Sequence, residues 1–208
     1  MPDSADEIRA LTRLRGEEEE MLLRLTLRDV GTSLTHPYFS ADKSVFIPAK
    51  NGFAETDALF ICSAGIFVFE CKHMKGSVLG KPSDRLWTKT GETVLSFPNP
   101  ILQSRRHADA AAAYFGIARN LCFSFAVIND DCVLESGTDA AVLRTGSVKK
   151  SLLPLLSVKR FDDVTLSALI SRAEKLSSDD KCRKQHEAQI ERMKKERRGD
   201  KKRERKGA

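Results

Sequence analysis

The stretch TDALFICSAGIFVFECK, residues 56–72, decides the fold of this protein. It contains twelve consecutive uncharged residues, preceded by Asp57 and followed by Glu70 and Lys72. A membrane-spanning helix needs ~20 apolar residues, and this run is both shorter and interrupted by Ser63-Ala64-Gly65, which favour a turn. Two apolar segments around such a turn predict a hairpin of buried β-strands, spanning Glu55–Cys62 and Ile66–Lys72.

The charged residues at the ends of this hairpin are predicted to meet. Side chains alternate along a strand, so Glu70 and Lys72 lie on one face, and a tight hairpin brings Asp57 opposite them. Two carboxylates and an ammonium fit metal-assisted phosphodiester hydrolysis, because Mg²⁺ prefers carboxylate oxygens and activates a bound water. The ammonium can orient that water, and the main-chain carbonyl of Cys71 offers another metal ligand. The Glu-x-Lys spacing by itself is common and more often marks an exposed ion pair at a strand end.

The charges of the 208-residue chain are unevenly distributed, although its net charge is only +6. Residues 181–208 contain 13 basic and 5 acidic residues, whereas the preceding part contains 22 basic and 24 acidic residues. A basic tail beside a nearly neutral body suggests contact with nucleic acid, although a solvated, mostly helical extension fits equally well. No aromatic residue lies between the basic clusters, so the tail is predicted to contact phosphates rather than bases. The candidate contacts are Lys194, Lys195, Arg197, Arg198, Lys201, Lys202 and Arg203.

The cysteines and the first residues predict a reduced, cytoplasmic protein. None of the five cysteines forms a CxxC pair, and four lie in apolar segments where a thiol behaves as a small hydrophobic group. The four histidines show no zinc-binding spacing. The first ten residues, MPDSADEIRA, are acidic and lack the apolar core of a signal peptide, so neither secretion nor a membrane anchor is expected.

The order of elements predicts one mixed domain. A helix over Asp3–Arg28 is followed by a meander of short strands, and a Pro-Asn-Pro break then starts an alanine-rich helix, Ile101–Phe115. A strand at Leu121–Ile128, a further short strand and two more helices complete the pattern. This order indicates a mixed α/β or α+β fold with helices packed on a central sheet. We assign residues 1–178 to this domain and residues 179–208 to a basic tail, either helical or disordered.

Four consecutive glutamates, Glu17–Glu20, stand out on the first predicted helix. A helix distributes four consecutive residues around its whole circumference. Apolar residues flank them on one face, so Glu17 or Glu18 is predicted to share a buried stripe, where a carboxylate usually has a partner or a task. The flanking residues are Leu14, Met21, Leu22 and Leu25. The alternative is a glutamate at the edge of the stripe that reaches solvent.

Several motifs, in order, resemble the nuclease-related domain, a branch of the PD-(D/E)xK, restriction-endonuclease-like superfamily. The central motif is E-T-D-A-L-F-I-(x)3-G-I-F-V-F-E-C-K-(x)3-G, which begins at Glu55. The similarity continues in Arg15-Gly16-Glu17-Glu18, Trp87, the segment F-P-N-P-I-x-Q that ends at Gln103, and His107. The resemblance covers about Leu14–Phe125 and implies a restriction-endonuclease-like core, in which helices flank a central mixed sheet.

The resemblance also implies roles for individual residues. Asp57 and Glu70 would bind the metal, and Lys72 would position or activate the attacking water. Gln103 would contact the metal-bound water or DNA. His107, four residues later, would pack against a helix or contact substrate, and an ordinary exposed histidine fits this position equally well.

A glutamate of the first helix would complete the acidic site in the family. Glu17 has the glycine neighbour that the family motif contains. Glu18 has apolar residues three and seven positions later, Met21 and Leu25, as the family's spacing requires. The spacing therefore favours Glu18, and Glu17 remains the alternative.

These features predict a Mg²⁺- or Mn²⁺-dependent nuclease that hydrolyses DNA, with the tail adding non-specific affinity. The alternative is a non-catalytic nucleic-acid-binding or scaffold module of a DNA-processing assembly, because a fold does not fix a function. DNA is the expected partner, and a homodimer or a larger DNA-processing complex would fit the small size of the chain.

Overall fold

A computed structural model of the chain describes residues 5–50, 52–91, 94–135 and 142–178, with four helical positions between 184 and 191. The helices in these ranges are α1 (Ala5–Thr32), α2 (Pro100–Phe115), α3 (Val148–Leu156) and α4 (Asp163–Ser178). The first strands are β1 (Phe39–Ser40), β2 (Val45–Ala49), β3 (Gly52–Thr56), β4 (Ala58–Cys62) and β5 (Gly65–Lys72). The later strands are β6 (Ser77–Leu79), β7 (Leu86–Thr90), β8 (Leu95–Pro98), β9 (Cys122–Ile128), β10 (Val133–Leu134) and β11 (Val142–Arg144).

The central sheet has five strands in the order β1-β4-β5-β9-β11. β5 lies at its centre, antiparallel to β4 and parallel to β9, and β11 continues the parallel part. Ala58 pairs with Phe69 and Cys62 pairs with Gly65, which confirms the tight hairpin predicted from the sequence. Gly65 has a φ of +151°, and a Cβ there would lie 2.7 Å from the Phe123 ring, so the turn requires glycine.

Helix α2 belongs to the crossover between the parallel strands β5 and β9. Its start is set by Asn99, whose side chain accepts a hydrogen bond from the main-chain N–H of Ile101 at 2.9 Å. Pro100 occupies the first turn, where a missing N–H costs nothing. Gly116 ends the helix in the left-handed conformation, with φ of 70°. The predicted start and end of this helix are confirmed.

Apolar layers cover both faces of the central sheet. On one face, α2, α4 and the β2–β3 hairpin pack over Ile66 and Val68 of β5. On the other face, α1 and α3 pack over Phe67 and Phe69. Because both faces of β5 are buried, the strand reads as a continuous apolar run instead of an alternating one. The mixed α/β architecture, with helices flanking a mixed central sheet, agrees with the predicted fold class.

A smaller sheet, in the order β10-β6-β7-β8, packs beside the first turn of α2. Its core is Trp87, which is fully buried and donates its indole N–H to the main-chain oxygen of Lys81 at 2.9 Å. Phe97 and Ile101 pack in the same cluster. The sequence does not predict β1 and β10, because two residues carry no periodicity.

Helix α1 faces the sheet with a different set of residues from the one predicted. Its buried side chains are Leu23, Leu27 and Val30. The residues predicted to form the buried stripe are instead exposed: Leu14, Met21, Leu22 and Leu25. The prediction that Glu17 or Glu18 shares a buried stripe is therefore wrong. The physical reason is that α1 has two apolar faces, and the one containing Leu23 and Leu27 packs in the cluster that covers β4 and β5.

The remaining sequence predictions concern the cysteines and the tail. Four cysteines are free, buried thiols: Cys62, Cys71, Cys122 and Cys132. In the part of the chain that the structure describes, no helix is long and apolar enough to cross a membrane. The phosphate-binding residues predicted between Lys194 and Arg203 lie outside the described residues.

Candidate active site

Asp57 lies at the open end of the β4–β5 hairpin, between β3 and β4. Its main-chain N–H donates to the carbonyl of Phe69 at 3.1 Å and extends the hairpin pairing by one residue. Its carboxylate Oδ2 accepts a hydrogen bond from the main-chain N–H of Cys71 at 2.7 Å. The carboxylate therefore accepts the hydrogen bond that a neighbouring strand would otherwise accept at the end of β5. It lies next to Glu70.

Glu70 is buried at the end of β5, with 4% of its surface exposed. Its Oε1 lies 2.5 Å from Nζ of Lys72, the neighbour on the same face of the strand. Its Oε2 lies 3.3 Å from Nδ1 of His107 on α2, although this contact lacks hydrogen-bond geometry. The structure thus brings together Asp57, Glu70 and Lys72, and adds His107 as a buried neighbour.

The glutamate of α1 that approaches this cluster is Glu20. Glu17 is exposed and pairs with Arg13 at 2.8 Å, and Glu18 is also exposed, so the structure places neither of them at the site. Burial is the main cause of the raised pKa values of Asp57 and Glu70, and the charge of Glu20 adds a smaller effect to each. Glu20 has Leu23 and Leu27 three and seven positions later, so the spacing that favours Glu18 was also available for Glu20.

Arg24 joins α1 to the turn that carries Asp57. Its Nη1 donates to the main-chain oxygen of Asp57 at 2.7 Å and to Oε2 of Glu20 at 3.3 Å. The guanidinium is largely buried, with 15% of the side chain exposed. One guanidinium therefore fixes both the turn and the helix glutamate. The sequence does not single out Arg24, because Arg and Glu four residues apart are common on exposed helix faces.

Burial and crowding of like charges dominate the electrostatics of the cluster. Burial, together with the charge of Glu70, raises the pKa of Asp57 to about 8. Burial also raises the pKa of Glu70, although Lys72 opposes that shift. Burial lowers the pKa of the Lys72 ammonium. The charges of Glu70 and Asp57 outweigh this effect, so the pKa is raised overall. The cluster has more carboxylates than cations to balance them, which favours the binding of a further cation.

Helix α2 contributes two polar side chains with buried atoms, His107 and Gln103. Burial, helped by Arg106 and Lys72, lowers the pKa of His107 to about 4, so its imidazole is neutral at pH 7. Gln103 lies one turn before His107 on the same face. Its Oε1 is buried and has no hydrogen-bond partner among the residues that the structure describes. This oxygen is available to a hydrogen-bond donor such as a water.

A second polar group, missed by sequence analysis, adjoins the cluster on the α1 side. Glu19 accepts a hydrogen bond from the hydroxyl of Thr145 at 3.0 Å and lies 3.7 Å from Nδ1 of His73. His73, Asn129 and Thr145 each follow directly after a strand of the parallel part, β5, β9 and β11. The signal in the sequence that could have identified these three residues is a polar residue immediately after a predicted buried strand. These contacts hold the segment Glu19–Glu20 against the carboxyl ends of the strands.

The buried charge of Asp57 predicts a stability effect. A carboxyl with a folded-state pKa near 8 and an ordinary pKa of 3.8 keeps its proton in the folded state between these pH values, while the unfolded chain releases it. The free energy of unfolding of the metal-free protein therefore falls as pH rises from about 4 to about 8. Asp57→Asn removes this loss and is expected to raise the free energy of unfolding at pH 8 by up to about 5 kcal/mol, since each pH unit between the two pKa values costs about 1.4 kcal/mol.

Urea unfolding in EDTA at pH 5 and pH 8 measures this effect. Asparagine keeps a side-chain oxygen that can accept from Cys71, so the main hydrogen bond is retained. Asp131→Asn, at an exposed aspartate, is the matched control and should leave the pH dependence unchanged. A wild-type stability that rises between pH 5 and pH 8 by as much as that of Asp57→Asn would contradict the assignment of a raised pKa to Asp57.

The donor atoms of the cluster are oxygens of two carboxylates. Among the described residues, no group of three or more His, Cys, Asp or Glu side chains is arranged to hold a metal ion. Burial raises the pKa of the Cys71 thiol, so this residue can contribute only its main-chain carbonyl at neutral pH. Such a set fits an ion that takes one or two carboxylates and keeps several waters, which is typical of Mg²⁺. The same set does not fit the tetrahedral sites of zinc.

Comparison with known proteins identifies the family of the chain. A family model described as the nuclease-related domain, NERD, matches residues 15–129, a range that includes the second half of α1, the hairpin, β6–β8 of the small sheet, α2 and β9. No curated protein and no solved structure matches the chain. The matched range covers more than half of the sequence and contains all the site residues placed above except Thr145. On this evidence the chain belongs to the nuclease-related domain family.

Proposed function

We propose that this protein is a metal-dependent nuclease that hydrolyses phosphodiester bonds of DNA. The observation that carries the proposal is the meeting of Asp57, Glu70 and Lys72 at one end of a buried hairpin. Buried carboxylates at this density are costly to a fold unless a cation or a reaction uses them. Membership of a nuclease-related family supports the reaction class.

The proposed cofactor is Mg²⁺, with Mn²⁺ as a substitute. Asp57 and Glu70 would hold the ion, with the main-chain carbonyl of Cys71 as a further oxygen ligand. When bound, such an ion polarises a phosphate oxygen and lowers the pKa of a bound water. The raised pKa values of Asp57 and Glu70 support this assignment, because a divalent cation would relieve the repulsion that raises them.

The residues of the chain supply position and charge around this reaction. Lys72 carries an ammonium at the mouth of the site, where it can orient the attacking water and offset charge on the phosphate. The neutral imidazole of His107 lies 3.3 Å from Oε2 of Glu70, beside the proposed metal ligand. Gln103 offers a buried side-chain oxygen that can accept a hydrogen bond from a water at the site. Arg24 acts on Asp57 and Glu20 as a positioning residue.

The basic tail also supports DNA as the proposed substrate. Residues 181–208 carry 13 basic residues against 5 acidic ones, and their contact with phosphates would add affinity without sequence preference. A reduced compartment such as the cytoplasm suits the four buried free thiols.

The test is cleavage of circular plasmid and of linear single-stranded DNA by the purified full-length protein. Reactions contain Mg²⁺, Mn²⁺ or EDTA, and Asp57→Ala is run beside the wild type. Cleavage that requires metal and is lost in Asp57→Ala supports the proposal, and a nicked or linear plasmid identifies endonuclease action. Equal cleavage by Asp57→Ala and wild type would show that the activity does not belong to this site.

A second candidate function is nucleic-acid binding without cleavage. The observation that favours it is the short contact between Glu70 and Lys72, since an ion pair already neutralises one of the two carboxylates. Binding of this kind would be insensitive to EDTA and would weaken as salt rises or when residues 181–208 are removed. Absence of cleavage with every metal, combined with such binding, would favour this function over the nuclease.

The position of Glu20 gives a prediction that separates it from its neighbours. Glu20→Gln is expected to lower the cleavage rate by about tenfold or more, because its charge acts on both metal-binding carboxylates. Glu18→Gln changes an exposed carboxylate on the same helix and is expected to leave the rate within about twofold. Rates measured at saturating DNA compare the two variants. The reverse order of effects would restore Glu18 as the site glutamate.

A further inference from the structure

The outer face of α1 carries an apolar stripe that nothing in the described part of the chain covers. Its members are between 42 and 54% exposed: Leu11, Leu14, Met21, Leu22 and Leu25. Single exposed leucines are ordinary on protein surfaces, whereas several large apolar residues exposed on one face of a helix indicate an interaction site. The stripe faces away from Leu23 and Leu27, which already bury the inner face of the same helix.

The spacing of the stripe is that of a helix–helix seam. Positions 11, 14, 18, 21, 25 and 28 alternate steps of three and four residues, the a and d positions of a heptad pattern. Four of the six positions are apolar, and the exceptions are Glu18 and Arg28. A helix that only covers its own domain needs one apolar face, so the second face predicts a second helix.

We propose that α1 pairs with α1 of a second copy of this chain, antiparallel and about a twofold axis. A parallel arrangement would place the glutamates 17–20 of the two copies side by side, which like-charge repulsion opposes. An antiparallel arrangement moves these glutamates toward the arginine-containing second half of the other helix. A self-complementary surface of this kind closes into a dimer and leaves no open end.

The charges also select one antiparallel register. With the axis opposite residue 23, Met21 lies against Leu25 of the partner subunit, and Glu18 lies against Arg28 of the partner subunit. Each contact occurs twice because of the symmetry. Shifting the register by one heptad places Leu14 against Leu25 of the partner subunit. It also places Leu11 against Arg28 of the partner subunit and Glu18 against Met21 of the partner subunit, so both charges lose an opposite partner. The first register pairs opposite charges and apolar groups, so it is the one proposed.

A groove beside the stripe provides room for the partner's side chains. It has a volume of about 320 Å³ and is lined by Glu17, Met21, Arg24, Leu25, Arg28 and Asp42. Arg28 pairs with Asp42 at its edge, so its guanidinium is held where a glutamate of the partner subunit can reach it. Arg24 lines the groove and also contacts Asp57, so the proposed dimer surface adjoins the candidate active site.

The test measures the oligomeric state of the full-length chain, free of nucleic acid, by light scattering and sedimentation across a wide range of concentration. The wild type is expected to dimerise. Leu25→Glu is expected to raise the dimer Kd by about 100-fold or more, because it places a charge in the seam. Leu79→Glu, at an equally exposed leucine on the small sheet, is the matched control and should leave the Kd unchanged. Circular dichroism checks that both variants fold.

Charge reversal tests the register independently of folding. Glu18→Arg and Arg28→Glu each create like-charge pairs in their own homodimer and should weaken it by about tenfold or more. Mixing the two variants restores both opposite-charge contacts, so the mixture should form a heterodimer at concentrations where each variant alone is monomeric. A monomeric wild type, or a mixture that stays monomeric, would overturn the proposal, as would binding of the stripe to lipid vesicles without self-association. Because no cleavage is measured, the outcome is independent of the proposed nuclease activity.

Discussion

Replacing Lys72 with methionine is expected to lower the rate of DNA cleavage by about 10³-fold or more. Methionine retains an unbranched stem of similar length, so the end of β5 should keep its packing. The change removes the ammonium that lies 2.5 Å from Glu70 and that faces the position of the phosphate in the proposed reaction. It also removes the main group that holds down the pKa of Glu70, so this carboxyl becomes harder to ionise.

The control for Lys72→Met is Lys75→Met. Lys75 is exposed three residues later, so its substitution makes the same change in net charge beside the same strand. Single-turnover cleavage with excess protein separates the reaction from DNA binding, and fluorescence anisotropy measures that binding separately. Unchanged affinity with lost cleavage assigns Lys72 to the reaction. Comparable cleavage by both variants would remove Lys72 from the catalytic set.

Replacing Phe67 with alanine is expected to lower the free energy of unfolding by about 3–5 kcal/mol. Phe67 is fully buried at the centre of β5, and its ring centroid lies 4.9 Å from that of Phe123 and 6.0 Å from that of Phe60. Truncation leaves a cavity between the sheet and the helices α1 and α3, and these neighbours can fill it only partly. For a small domain this loss is a large share of the total stability.

Urea unfolding of Phe67→Ala measures this loss. Leu86→Ala on the exposed face of the small sheet is the comparison and should change the free energy of unfolding by less than about 0.5 kcal/mol. A loss for Phe67→Ala no larger than that for Leu86→Ala would mean that the aromatic cluster is not the centre of the fold.

The central hairpin could be predicted from the sequence because local signals there agree with the tertiary structure. Twelve uncharged residues, a glycine turn and charges at both ends permit one arrangement, and the register follows from the turn. The sequence therefore predicts that Asp57 and Glu70 lie together. The start and end of α2 were equally local, since Asn99 and Gly116 determine them within one turn.

The orientation of α1 could not be predicted, because the helix is apolar on two faces and periodicity does not say which one meets the sheet. Met21 and Leu25 give one choice, and Leu23 and Leu27 give the other. Shape complementarity to β4 and β5 decides between them, and that is a property of the whole fold. The same ambiguity affects the candidate site, because the predicted face contains Glu18 whereas the observed orientation brings Glu20 near Asp57 and Glu70. Arg24 and the Glu19–Thr145 contact were missed for the same reason, as they depend on how α1 docks.

The two faces of β5 have a consequence for how this protein can change in evolution. Alternate residues of one eight-residue strand serve the aromatic cluster and the charged site, with no spacer between the two tasks. An inserted or deleted residue would turn Glu70 and Lys72 into the aromatic layer and Phe67 and Phe69 out of it. The strand can therefore vary only by substitution, one position at a time. Insertions and deletions are expected in other segments instead, such as the loops of the small sheet and the tail.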